Sequence, residues 1–265
     1  MAKFGLLGKK LSHSISPLIH DIIFDITGFC GTYELYEMGE VTNIYEIFND
    51  LDLLGLNVTI PYKENVKVQL KNLTKEAIYI GAVNTILKKE AELIGSNTDY
   101  YGFKEMLQVE EIDISGKRVA ILGTGGAAKT VEFYAKKHNA ADIFYISRTP
   151  DKTKQEFSYE DLKNMRYEIL VNTTPVGMYP NILESPVDIE VIKNADVLID
   201  LIYNPHETKF LKLGREHGKI CCNGLYMLIA QAIKAQEIWQ NLSFDEEIIK
   251  EIHTRVKHSL KIEKI

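Results

Sequence analysis

The chain has 265 residues, 45% of them hydrophobic, and a formal net charge of -6. That length accommodates two modest domains or one large one, with a core that needs neither disulfide nor metal. The negative balance argues against nucleic-acid and membrane surfaces but leaves room for a small anion, which needs only local positive charge and aimed N–H groups.

Residues 3–8 read as a strand. Residues 17–28 read as a helix, with Ser16 as N-cap and Pro17 at the first helical position. Residues 32–38 are strand-like, 41–54 helical and 56–60 a strand, and a helix follows from about Tyr62. Residues 82–87 and 92–96 read as two short strands, and a helix runs from near Asp99 to about Gln108. The polar stretch 109–117 bridges to a second array, opened by the apolar strand 118–122 and continued by strands at 142–146, 169–173, 197–202 and 219–222. Cys221 and Cys222 in the last of these are small hydrophobes of a buried strand. With Cys30 they make an odd count without C-x-x-C spacing, as in a reducing compartment. The last forty residues are helical, and no stretch reaches the ~18 apolar residues of a membrane span, so the expected location is cytoplasmic. Strands separated by helices predict an α/β chain with mostly parallel sheet in two domains, residues 1–100 plus 225–265 and residues 101–224.

The strand 118–122 runs into Gly123-Thr124-Gly125-Gly126-Ala127-Ala128, a G-x-G-x-x-G/A turn at a helix start. Such glycines allow a tight turn and close backbone approach to a pyrophosphate, and the helix N-terminus offers free N–H groups. Ala128, Val131 and Ala135 form a small apolar stripe suited to packing on the sheet. An NAD site expects Asp or Glu about 20 residues later, on the ribose hydroxyls. Here that strand ends in Ser147-Arg148-Thr149, followed by Asp151 and Lys152. An arginine there can pair with a 2′-phosphate, Ser147 and Thr149 can donate hydroxyl hydrogen bonds, and Lys152 adds charge.

Four polar clusters end apolar strands, where loops over a parallel sheet gather ligands. Ser14 and Ser16 can hydrogen-bond a carboxylate, although Ser16 serves equally as a cap, and His13 and His20 beside them read as structural. Thr59 and Lys63 fall where a buried strand opens into a helix. A cation there opposes the helix dipole, and local rules tend to break at functional sites. Asn84 can bind a ligand hydroxyl or brace a turn, and Asp99 can be a catalytic carboxylate or the N-cap of the next helix. Gly224 and Gln231 stand seven residues apart, on nearly one face of a helix.

In order along the chain, these clusters resemble the shikimate dehydrogenase family. The motifs that carry the resemblance are S-I-S-P at 14–17, N-V-T-I-P-Y-K at 57–63, G-A-V-N-T at 81–85 and N-T-D at 97–99. They continue with G-T-G-G-A at 123–127, S-R-T at 147–149, N-T-T-P-V-G-M at 172–178 and G-L-Y-M-L-I-A-Q at 224–231. The resemblance implies reversible, NADPH-dependent reduction of 3-dehydroshikimate to shikimate, on the way to chorismate and the aromatic amino acids. It implies Lys63 and Asp99 as the catalytic pair, and Ser14 and Ser16 on the substrate carboxylate. Thr59, Asn84, Tyr203 and Gln231 would surround the ring. Gly123, Thr124, Gly125, Gly126 and Ala127 would take the pyrophosphate of NADP, and Ser147, Arg148, Thr149 and Lys152 its adenosine phosphate. Leu201 and Gly224 would line the nicotinamide end. The chain departs from the family pattern at Ser147, Lys152 and Tyr100, where asparagine, arginine and glycine are common; lysine, a point charge, cannot make arginine's bidentate fork. In the reduction, lysine, ordinarily a cation at neutral pH, would donate the proton as carbonyl becomes alkoxide. The expected partner is a small-molecule substrate, with no metal, for a monomer or homodimer. The alternatives are a quinate/shikimate dehydrogenase that accepts NAD, a dinucleotide-sensing protein without turnover, and a folate-dependent dehydrogenase of similar plan, which should lack the paired serines.

Overall fold

Strand β1 (Ala2–Gly8) buries Phe4, Leu6 and Leu7 on its two faces, the pattern of a central strand covered on both sides. The computed structural model describes residues 1–151, 153 and 155–261 and divides into two units, Met1–Gly102 with the chain from Ile229 on, and Phe103–Leu228.

In the first unit β1 is followed by α1 (Ser16–Thr27), β2 (Gly31–Glu37), α2 (Ile44–Asp50), β3 (Gly55–Val58) and α3 (Lys63–Gln69). Then come β4 (Asn72–Leu73), α4 (Lys75–Ile80), β5 (Thr85–Lys89), β6 (Glu92–Ser96) and the start of α5 (Asp99–Val109). The sheet order is β2-β1-β3-β5-β6-β4. Strands β2, β1 and β3 run parallel, β5 is antiparallel to both β3 and β6, and β4 lies parallel to β6. One apolar cluster gathers Leu7, Phe48, Leu56, Val58, Val66 and Ile86; another joins Phe4, Phe24, Tyr33 and Trp239.

The second unit contains β7 (Arg118–Leu122), α6 (Gly126–Lys137), β8 (Asp142–Ile146), β9 (Glu156–Phe157), α7 (Tyr159–Leu162) and β10 (Ile169–Asn172). It continues with α8 (Ile189–Lys193), β11 (Val197–Asp200), α9 (Lys209–Glu216) and β12 (Ile220–Asn223). Its sheet is parallel throughout, in the order β12-β11-β10-β7-β8-β9. Ala128, Val131 and Ala135 are buried, as the small apolar stripe on α6 requires. The chain returns to the first unit within α10 (Leu225–Gln240) and ends its described part with α11 (Glu246–Ser259). No helix among the described residues is long and apolar enough to cross a membrane.

Two expectations are corrected. The helix predicted over 41–54 spans only Ile44–Asp50, because the Asn43 side chain caps it by accepting from the Tyr45 amide and Asp52, at φ 54°, turns the chain beyond it. Ser16 is not an N-cap: the helix already includes it, Ile15 occupies the cap position, and the Ser16 amide donates to Ser14 Oγ at 3.3 Å.

Two buried histidines should make the first unit acid-sensitive. His20 is fully buried, stacks on Tyr33 at 3.8 Å and meets Gln236 through Nδ1 at 2.8 Å. Burial lowers its pKa to about 3, and burial followed by the nearby Lys257 charge lowers that of His253 to about 4. Both are depressed below the unfolded value, so the unfolded chain binds more protons between about pH 6.5 and 4, and stability falls as pH falls through that window. Acidification from pH 7 to 5 should cost about 2 kcal/mol at each histidine as an upper bound. Calorimetry at the two pH values, with His20→Phe as comparison, checks this; equal acid losses in both proteins would exclude His20 as a source.

Candidate active site

Helix α3 begins at Lys63, just after the buried strand β3, and helix α5 begins at Asp99, just after β6. Lys63 Nζ lies 2.6 Å from Asp99 Oδ2, with the two side chains 17% and 12% exposed. The pair is partly desolvated, so its attraction is stronger than that of a surface ion pair. Asp99 is not a side-chain cap: Asn97 Oδ1 accepts from the Tyr100 amide at 3.3 Å, which leaves the Asp99 carboxylate for Lys63.

Asn84, 3% exposed, sets the other oxygen. Its Nδ2 donates to Asp99 Oδ1 at 2.8 Å and to Thr98 Oγ1 at 3.0 Å, while its Oδ1 accepts from the Thr98 amide at 2.7 Å. Of the two roles open to Asn84, the brace is the one these bonds display. Thr98 Oγ1 also donates to Gln231 Oε1 at 3.4 Å, which brings Gln231 to the same cluster from α10. Asn57 reaches it from β3, with Nδ2 donating to Thr85 Oγ1 at 3.0 Å and Oδ1 accepting from Tyr33 Oη at 2.8 Å. Sequence reading gave Asn57, Thr85 and Thr98 no role, although all three lie inside the quoted motifs.

Ser14 and Ser16 sit together at the start of α1, with Ser14 Oγ donating to Ser16 Oγ at 3.1 Å and accepting from the Ser16 amide at 3.3 Å. The hydroxyls and the positive end of the helix dipole suit an anion there. Thr59 follows β3, its amide bonded to the Leu7 carbonyl at 2.9 Å. Ser14, Ser16, Thr59, Lys63, Asn84, Asp99 and Gln231 therefore all belong to the first unit, and Tyr203 to the second.

In the second unit, Gly123 adopts φ 103°, a left-handed conformation that favours glycine, with the Thr173 hydroxyl pressed beneath it. A Cβ at Gly125 would meet nothing within 4 Å, and no side chain caps α6. The turn Gly123, Thr124, Gly125, Gly126, Ala127 thus leaves open space over uncapped helix N–H groups, which fits a pyrophosphate. At the end of β8, Ser147 Oγ accepts from the Thr149 amide at 3.2 Å and Arg148 is exposed. Asp151 turns inward to its own loop, accepting from the Thr153 amide at 3.0 Å and hydroxyl at 2.7 Å. Lys152 lies outside the described residues. Gly224 is buried just before α10, and the Leu201 carbonyl occupies the space its Cβ would take. Among the described residues no group of three or more His, Cys, Asp or Glu could hold a metal.

A family model described as "Shikimate dehydrogenase substrate binding domain" matches residues 6–86. The chain is 43% identical to the shikimate dehydrogenase (NADP(+)) of Clostridium beijerinckii, over 98% of this chain and 100% of that protein. The crystal structure of shikimate dehydrogenase 1 from Peptoclostridium difficile superposes with a TM-score of 0.92 at 44% identity, covering 98% of this chain and 99% of that one. The Thermus thermophilus shikimate 5-dehydrogenase, solved in complex with NADP(H) and shikimate, gives a TM-score of 0.84 at 30% identity, covering 96% and 99%. With a lysine–aspartate pair braced by asparagine in one unit, a glycine turn in the other, and identity sustained from end to end, the chain belongs to the shikimate dehydrogenase family.

Proposed function

We propose that this protein is a cytoplasmic enzyme that interconverts 3-dehydroshikimate and shikimate with NADP, a step of aromatic amino acid biosynthesis. The observation that carries the chemistry is the 2.6 Å contact of Lys63 with Asp99. NADP, when bound, supplies or takes up the hydride. Everything else falls to side chains. Ser14 and Ser16 donate to the substrate carboxylate at the start of α1. Lys63 donates a proton to the carbonyl oxygen as it gains charge and recovers one from the hydroxyl in the reverse direction. Asp99, fixed by Asn84, orients the ammonium and accepts from a ring hydroxyl. Thr59, Tyr203 and Gln231 complete the substrate set.

Gly123, Thr124, Gly125, Gly126 and Ala127 hold the pyrophosphate, Leu201 and Gly224 border the nicotinamide, and Ser147, Arg148, Thr149 and Lys152 bind the 2′-phosphate. An assay at about 340 nm, the NADPH absorption band, with shikimate or quinate and NADP⁺ or NAD⁺ tests the reading. Shikimate-dependent NADPH formation supports it, and its absence with every pair overturns it. Arg148→Ala should raise KM for NADP⁺ about 10- to 100-fold, the worth of a charge-assisted pair, and leave KM for NAD⁺ nearly unchanged. Equal losses with both cofactors would exclude Arg148 from the 2′-phosphate.

A further inference from the structure

Asp200, the last residue of β11, is fully buried and has no part in the mechanism above. Three donors converge on its carboxylate from three segments. Thr208 Oγ1, at the N-cap of α9, donates to Oδ2 at 2.6 Å. Asn172 Nδ2, at the end of β10, donates to Oδ1 at 3.0 Å, and the Ile202 amide donates to the same oxygen at 3.1 Å. All three are donors, so the acceptor they suit is the ionised carboxylate. Burial raises its pKa to about 6, with the hydrogen bonds from Thr208, Ile202 and Asn172 acting to lower it.

Each partner leads to a loop at the carboxyl edge of the parallel sheet. Ile202 stands between Leu201 and Tyr203. The Leu201 amide is tied to the Asn172 carbonyl at 3.0 Å, and the Ile202 carbonyl accepts from the Gly224 amide at 3.1 Å. Asn172 Oδ1 accepts from the Thr174 amide at 3.0 Å and hydroxyl at 2.7 Å, shaping the turn after β10. Between them, Thr173 donates its hydroxyl to the Leu122 carbonyl at 2.6 Å, directly beneath Gly123. The carboxylate thus anchors the turn after β11 directly through the Ile202 amide and touches the turn after β10 only through Asn172.

We propose that Asp200 is a positioning residue for the nicotinamide end of the cofactor site, holding Leu201 and Tyr203 in register with the glycine turn. The proposal rests on the reading of the site given under Proposed function. Asp200 acts through its neighbours and transfers no proton. Asp200→Asn keeps the size and loses the charge, so one of its positions now presents N–H to Thr208. The expected result is a folded protein that binds NADPH within about threefold of wild type, by NADPH fluorescence, because the adenosine end is untouched. Its kcat should fall at least about tenfold, the scale of a lost charge-assisted hydrogen bond. The primary isotope effect on kcat with shikimate deuterated at the reacting carbon should rise, because hydride transfer becomes more fully rate-limiting. A merely structural role would lower the melting temperature and leave kcat per folded site and the isotope effect unchanged, and that outcome overturns the proposal. If Asp200→Asn does not fold, Thr208→Ala and Thr208→Ser replace it: the serine retains the donor and should retain kcat, the alanine should lose it, and equal kcat in the two overturns the proposal. Wild-type protein without shikimate-dependent turnover would overturn the underlying reading instead, a result distinct from an active wild type with an equally active variant.

Discussion

Lys63→Ala should lower kcat by about 10²–10⁴-fold, the usual contribution of a positioned acid–base group, with NADPH binding kept. The residue sits on the first turn of α3, where a cation opposes the dipole and gains nothing from the helix. Its attraction is to Asp99 at 2.6 Å, and Asp99 is in turn oriented by Asn84 at 2.8 Å. Deleting the ammonium leaves a carboxylate facing the oxygen that must gain charge, so the barrier rises twice: the proton donor is lost and an unfavourable charge remains. Lys63→Arg separates the two contributions. Arginine keeps the positive charge but does not give up its proton at ordinary pH, so it should not restore turnover. Steady-state kinetics with shikimate and NADP⁺ decide the matter, and near-normal turnover in the alanine variant would remove Lys63 from this role.

Gly224→Ala should damage both stability and cofactor use. An added Cβ would run into the Leu201 carbonyl oxygen and carbon, well inside any contact distance. Both are backbone atoms, and the Leu201 amide is anchored to Asn172, so no flexible side chain can yield. Overpacking of this kind costs about 3 kcal/mol and displaces the segment proposed to border the nicotinamide. Calorimetry should show a clear fall in Tm, and kinetics a higher KM for NADP⁺. Gly125→Ala makes the contrast. Its φ of -79° suits alanine and its Cβ would meet nothing, so stability should hold while NADP⁺ binding weakens through loss of the open space. An unchanged Tm in Gly224→Ala would mean that the loop around Leu201 adapts freely.

What could be read from the residues, and what could not, follows from the range of the interactions. The strand and glycine turn from 118 to 128 were legible because an apolar run, three small residues and a helix pattern lie within eleven consecutive positions. Lys63 was legible as a candidate because a cation at a helix start breaks a local expectation, and Asp99, which suits a helix start, only through the N-T-D motif it closes; their meeting across 36 positions belongs to the sheet order. β4 and β9 are two residues each, too short for any alternation to register. The helix start at α1 departs from the reading because Ser16 and Pro17 satisfy the usual capping pattern one position late, while Ile15 holds the cap position. Asp200 gave one readable sign, a carboxylate closing the apolar run Val197, Leu198, Ile199. Its partners at positions 172 and 208 lie beyond any local window.

The placement of Trp239 gives the protein a built-in optical label. It is the only tryptophan in the sequence, it stacks on Phe4 with ring centroids 4.8 Å apart, and it donates to the Ile86 carbonyl at 2.9 Å. All three residues belong to the first unit, so tryptophan emission follows the melting of that unit alone, while far-ultraviolet circular dichroism follows both. A denaturant titration watched by the two signals would reveal whether the halves come apart together or in sequence.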